Sequence, residues 1–87
     1  PAAGQLLLSL TIDSEPVVRS NSIWALGRLY EQLVAPRQLE LVESMVSALL
    51  HDGDASVRDE ARTALEQLED PAVLERLQTL IDEGFLS

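Results

Sequence analysis

Few residues in this chain are of a type that could do chemistry, and their spacing reduces them further. There is no cysteine, which removes thiolate nucleophiles, thiolate metal sites and disulfides together. A single histidine, His51, supplies neither a zinc site nor a histidine-dependent catalytic triad. Asp52-Gly53-Asp54-x-Ser56 opens like a calcium loop, but Val57 stands where that loop needs glycine and Thr63 where it needs a bidentate glutamate. The carboxylate pairs Asp59/Glu60, Glu69/Asp70 and Asp82/Glu83 are sequence neighbours, so on a helix they diverge and read as solvated or end-capping groups. No glycine-rich phosphate loop, Gly-x-Ser-x-Gly elbow or His-Glu-x-x-His stretch is present. What remains is Trp24 and Arg28, four residues apart and of types enriched at binding hot spots. That chemistry is recognition. The expectation is a non-enzymatic protein with no catalytic residue, no metal and no cofactor.

Charge narrows the partner. Fifteen acids face six bases, all arginine, for a net charge of −9. Residues 1–50 carry three arginines and five acids, whereas residues 51–87 carry three arginines and ten acids. A surface that tracks phosphates needs clustered Lys and Arg, so nucleic acid and anionic membrane are not expected partners. No apolar run approaches the roughly 20 residues of a membrane span, and no signal peptide is visible, so a cytoplasmic protein is expected. The partner expected is another protein, with the acidic second half favouring basic or polar ones.

The elements that must position Trp24 and Arg28 are helices. Leu39, Val42, Met45, Val46, Leu49 and Leu50 recur at steps of three and four, the period of a helix burying one face. His51-Asp52-Gly53-Asp54 ends that helix, with Gly53 suited to a left-handed terminal position and Asp54 or Ser56 to capping the next. The next helix buries Val57, Ala61, Ala64, Leu65 and Leu68. Earlier in the chain, an apolar helix over residues 6–11 leads through Asp13-Ser14-Glu15 to Pro16, a first helical residue. Val18, Ser22, Ala25, Leu26, Leu29 and Leu33 form the buried stripe of the helix that follows. Pro36 and Pro71 punctuate the connections. A fifth helix over residues 72–83 presents Val73, Leu74, Leu77, Leu80 and Ile81, then stops at Gly84, with Phe85 and Leu86 folding back as a cap.

The chain also repeats itself. Shifted by 39, residues 10–29 fall on 49–68 with seven identities: Leu10/Leu49, Asp13/Asp52, Val18/Val57, Arg19/Arg58, Ala25/Ala64, Leu26/Leu65 and Leu29/Leu68. An aspartate and an arginine matched six residues apart go beyond what a Leu/Ala-rich composition produces by accident. Helix pairs recurring at 30 to 40 residues predict a solenoid, each pair burying its face against its neighbours. The fold expected is all-α, with five helices in about two and a half antiparallel pairs. Repeat 1 spans about 2–35, repeat 2 about 36–70, and a half repeat or C-terminal cap about 71–87. All belong to one domain, 1–87. Leu6-Leu7-Leu8-Ser9-Leu10 is apolar nearly all round, which predicts either a longer array of which this is a fragment or self-association through the N-terminal helix.

Asp13-x4-Val18-Arg19-x2-Ser22-x2-Ala25-Leu26-Gly27-x-Leu29 resembles the second helix of HEAT-like repeats, in the short-repeat branch named after phycobilisome bilin lyases. Asp52-x4-Val57-Arg58-x2-Ala61-x2-Ala64-Leu65-x2-Leu68 follows the same pattern, with Glu66 in place of the small residue Gly27. The resemblance implies a right-handed α-α superhelix. It also implies that Asp13, Arg19, Asp52 and Arg58 form a structural ladder between repeats, and that partners bind along successive second helices. The 39-residue step exceeds the usual length in that branch and predicts a long connection around residues 30–38. The alternative implied by the branch name is a bilin-lyase subunit or phycobiliprotein chaperone, with a bilin as cofactor and Arg28 or Arg19 near a propionate.

Opposite the core stripe of the first such helix lie Ser20, Asn21, Trp24 and Arg28. The repeat step carries that face to Asp59, Glu60, Thr63 and Gln67 on the second. Ser20, Asn21, Trp24, Arg28, Asp59, Thr63 and Gln67 are the expected partner-contacting residues of a protein–protein interaction or scaffold module. The sequence leaves two roles for Trp24: contact with a partner, or packing against an adjacent repeat or the long connection.

Overall fold

The computed structural model describes residues 10–87. Among these, four α-helices follow in order: α1 (Pro16–Leu29), α2 (Ala35–His51), α3 (Ala55–Gln67) and α4 (Pro71–Asp82), with a 3₁₀ turn at Tyr30–Gln32 after α1. Four of the five expected helices lie among the described residues. The expected helix over residues 6–11, and with it the self-associating Leu6-Leu7-Leu8 stretch, lies outside the described residues apart from Leu10 and Thr11. No strand occurs among the described residues.

Local chemistry explains each boundary. Pro16 opens α1 directly after Glu15, where a missing N–H costs nothing. Pro36 lies in the first turn of α2 rather than in a linker, so α2 starts at Ala35, four residues before the apolar pattern. The expected long connection shrinks to the 3₁₀ turn plus Leu33 and Val34. Leu33 consequently sits beyond α1 and not within it, yet it is buried. Asp54 caps α3 by accepting from the Ser56 and Val57 backbone N–H groups at 2.9 and 3.3 Å, and Asp70 caps α4 by accepting from Ala72 at 2.9 Å.

Left-handed backbone occurs at Gly84, φ 87°, and at Glu69, φ 55°; Gly53 does not adopt it. The Asp52-Gly53-Asp54 turn is closed instead by Asp52 Oδ1 accepting from the Asp54 N–H at 2.9 Å. At the end of α4, Phe85 N–H donates to the Leu80 carbonyl at 2.9 Å and Gly84 N–H to Ile81 at 3.1 Å, the paired bonds of a Schellman ending. Leu86 folds back against the core, whereas Phe85 stays 67% exposed, so only half of the expected apolar cap forms.

The core joins Ile23, Leu26 and Leu33 to Leu41, Val42, Met45, Val46 and Leu49 of α2, to Val57, Ala61, Ala64 and Leu65 of α3, and to Val73, Leu77 and Leu80 of α4. α3 is the central element: α1 and α2 both pack on it extensively, and α4 touches it more sparsely. Ile23 and Leu41, fully buried, were not in the expected stripes, while Leu39 at 62% and Leu74 at 44% exposure turn outward. The buried residues of α2 and α4 correspond at a step of 31 (Val42 to Val73, Val46 to Leu77, Leu49 to Leu80), so successive first helices present the same face to the stack.

Candidate functional site

At the turn end of the stack, Arg19 and Asp52 form a closed arrangement. Arg19 donates from Nε to Asp52 Oδ2 at 2.8 Å and from Nη2 to Oδ1 at 3.0 Å, a bidentate fork. Its Nη1 reaches back to the carbonyls of Asp13 at 2.8 Å and Ser14 at 3.1 Å. Arg58 repeats the backward bond, Nη1 to the Asp52 carbonyl at 2.7 Å. Asp13 Oδ1 accepts from the Glu15 N–H, as Asp52 accepts from that of Asp54. The Arg19 hydrogen bonds hold the Asp52 carboxyl below its ordinary value. These four residues are engaged with one another and with the turns. The carboxylates of the calcium-like stretch are equally occupied, and no metal-holding cluster occurs among the described residues.

At the other end, the seam between α1 and α3 opens into a groove. Trp24 is 53% exposed, and the Arg28 guanidinium carbon lies 5.1 Å from its ring centroid, a cation–π stack one helical turn along α1. Trp24, Gly27 and Arg28 on α1 and Glu60, Ala64 and Gln67 on α3 line a recess of about 140 Å³. A second recess of about 290 Å³ continues from Gly27, Arg28 and Gln67 to Tyr30, Glu31, Gln32 and Leu68. The seam opens there because Gly27 and Ala64 are small. A Cβ built on Gly27 would meet the Ala64 Cβ at 3.6 Å, an ordinary contact, so packing alone does not demand glycine there.

The groove therefore gathers Trp24, Arg28 and Gln67 of the expected contact residues. Asn21, Asp59 and Thr63 are exposed and Ser20 is half-buried, and none of these four lines either recess. Glu60, on the face that the repeat step predicts, lines it too, and Gly27 and Ala64 join unexpectedly. The sequence pattern reads Ala64 as core and Gly27 as the small residue of the repeat motif. The cue in the sequence was the Gly27/Glu66 mismatch between repeats, which removes a side chain where the seam opens. Tyr30, at the rim, donates its hydroxyl to Asp70 Oδ2 at 3.0 Å. Burial, together with that bond, raises its pKa, while the same bond lowers that of Asp70.

A stack of helix pairs with small-residue seams and an open groove along its second helices is an α-helical repeat protein. The model of HEAT repeats matches residues 4–85, and the chain belongs to that family. Comparison with curated proteins and with solved structures gives no match. No helix among the described residues is long and apolar enough to cross a membrane.

Proposed function

We propose that this is a non-catalytic protein-interaction module that binds a protein partner in the α1–α3 groove, with Trp24 as its anchor. The observation that carries the reading is a half-exposed tryptophan forming one wall of a recess with a floor of Gly27 and Ala64. A large aromatic left in water beside a concave floor gains most when a partner covers it. Membership in the HEAT-repeat family supports the same reading.

The test is affinity capture from the source lysate, followed by measured binding of the recovered protein. Trp24→Ala should weaken that binding by about tenfold or more, with helical content unchanged by circular dichroism. Unchanged affinity in a folded variant would sink the proposal. The bilin-lyase alternative is less well supported, since Arg19 already gives its donors to Asp52 and the Asp13 and Ser14 carbonyls. Visible absorbance or Trp24 quenching on adding a bilin would revive it.

A further inference from the structure

Resting on that reading of the groove, we propose that its occupant is a cationic side chain from a basic protein segment, and that Arg28 is a built-in stand-in which this side chain displaces. Five of the six arginines have an oxygen partner: Arg19 and Arg58 at the turns, and Arg37, Arg62 and Arg76 in ion pairs with Glu40, Glu66 and Glu43. Arg28 differs, because its one contact among the described residues is the Trp24 ring. The indole face thus holds a guanidinium already, and that guanidinium has no carboxylate to keep it there.

The carboxylate is provided across the groove. Glu60, half-buried on α3, lines the recess with Trp24, and its carboxylate makes no hydrogen bond or ion pair with any described residue. Glu31, likewise without one, lines the continuation. A guanidinium or ammonium entering over the Gly27–Ala64 floor meets the indole on one side and Glu60 on the other. It gains an ion pair that Arg28 lacks. Arg28, released to water, stays in the last turn of α1, where a positive charge is favourable. With a net charge of −9, the chain attracts basic segments from a distance, and the groove supplies the local fit.

The experiment titrates the full chain with an octa-arginine peptide and, separately, with an octa-glutamate peptide, at about 0.15 M salt to screen diffuse attraction. Trp24 emission and backbone amide shifts are followed. Octa-arginine should bind saturably, changing Trp24 emission and shifting the amides of Trp24, Gly27, Glu60 and Gln67. Arg28→Ala should tighten this binding by about three- to fivefold, and Glu60→Gln should weaken it by a similar factor. Gly27→Leu should abolish it by filling the floor. Three results overturn the proposal: octa-glutamate binding at the same amides, weaker octa-arginine binding in Arg28→Ala, or octa-arginine binding unaffected by Glu60→Gln. In those cases Trp24→Ala still reports separately on whether the recovered protein partner uses the groove at all.

Discussion

Two faces of one helix, α1, behave in opposite ways. The face carrying Arg19, Ser22, Ile23 and Leu26 is closed: Arg19 donates four hydrogen bonds, the Ser22 hydroxyl bonds the Arg19 carbonyl at 2.9 Å, and Ile23 and Leu26 have no exposure. The face carrying Trp24, Gly27 and Arg28 is open, with an exposed ring, an absent side chain and an arginine without an oxygen partner. Both faces use an arginine, so residue type does not separate structure from recognition. What separates them is whether the donors are already engaged.

That contrast can be broken on the closed side first. Ile23→Ala should lower stability by about 3 kcal/mol, through lost burial and a residual cavity, measured by urea denaturation. Asp52→Ala should lower the thermal midpoint by about 10 °C, because it strips the Arg19 fork of its acceptor. The same pair sets an acid limit. Asp52 titrates below its ordinary value in the folded chain, so its contribution is present above about pH 4 and is lost as pH falls through the folded value. Tyr30 works in the other sense: its raised pKa gives a contribution that is full below about pH 10 and lost as pH rises further. Thermal midpoints from pH 2 to 11 should therefore fall at both ends, with Asp52→Asn making the acid limb shallower, Asp54 and Asp70 supplying the rest of it, and Tyr30→Phe flattening the alkaline one.

Changes on the open side should be smaller in stability. Gly27→Ala should stabilise by about 0.5–1 kcal/mol, since alanine favours the helix and its Cβ has room. Arg28→Ala should leave the thermal midpoint within about 2 °C of wild type, because it removes only an exposed stack. A destabilisation by Arg28→Ala as large as that by Asp52→Ala would erase the distinction between the two faces.

The repeat, the Pro16 start, the Asp54 cap and the Gly84 stop were all legible in the sequence, because each rests on chemistry within a few residues, whereas Pro36 and Pro71 read as connection breakers and instead open helices. Ile23 was not. Its repeat mate is Arg62, a half-buried residue paired with Glu66, so aligning the repeats hides a core position. α1 buries Ser22, Ile23 and Leu26 while Val18, Ala25 and Leu29 stay half-buried, so its buried face is rotated toward Ile23 from the stripe the repeat alignment suggests. Leu39 and Leu74 err the other way, lying on helical stripes that no described element covers. Gly53 reads as a left-handed position and is not one, since Asp52 closes that turn with its own carboxylate; left-handed backbone falls after α3 and α4 instead, at Glu69 and Gly84. Trp24 and Arg28 could be placed by periodicity, but their groove required knowing that Gly27 and Ala64 face each other across a seam.

α4 is moored differently from the other helices. Its contact with α3 is sparse, and beyond the buried Val73, Leu77 and Leu80 two side-chain links hold it: Arg76 to Glu43 at 2.7 Å and the capping residue Asp70 to Tyr30 at 3.0 Å. A helix held this way opens as a unit ahead of the whole stack. Its amides should exchange with solvent water through a local opening, while those of α3 wait for global unfolding. The Tyr30–Asp70 clasp, at the rim of the groove, is then the bond that this opening has to break.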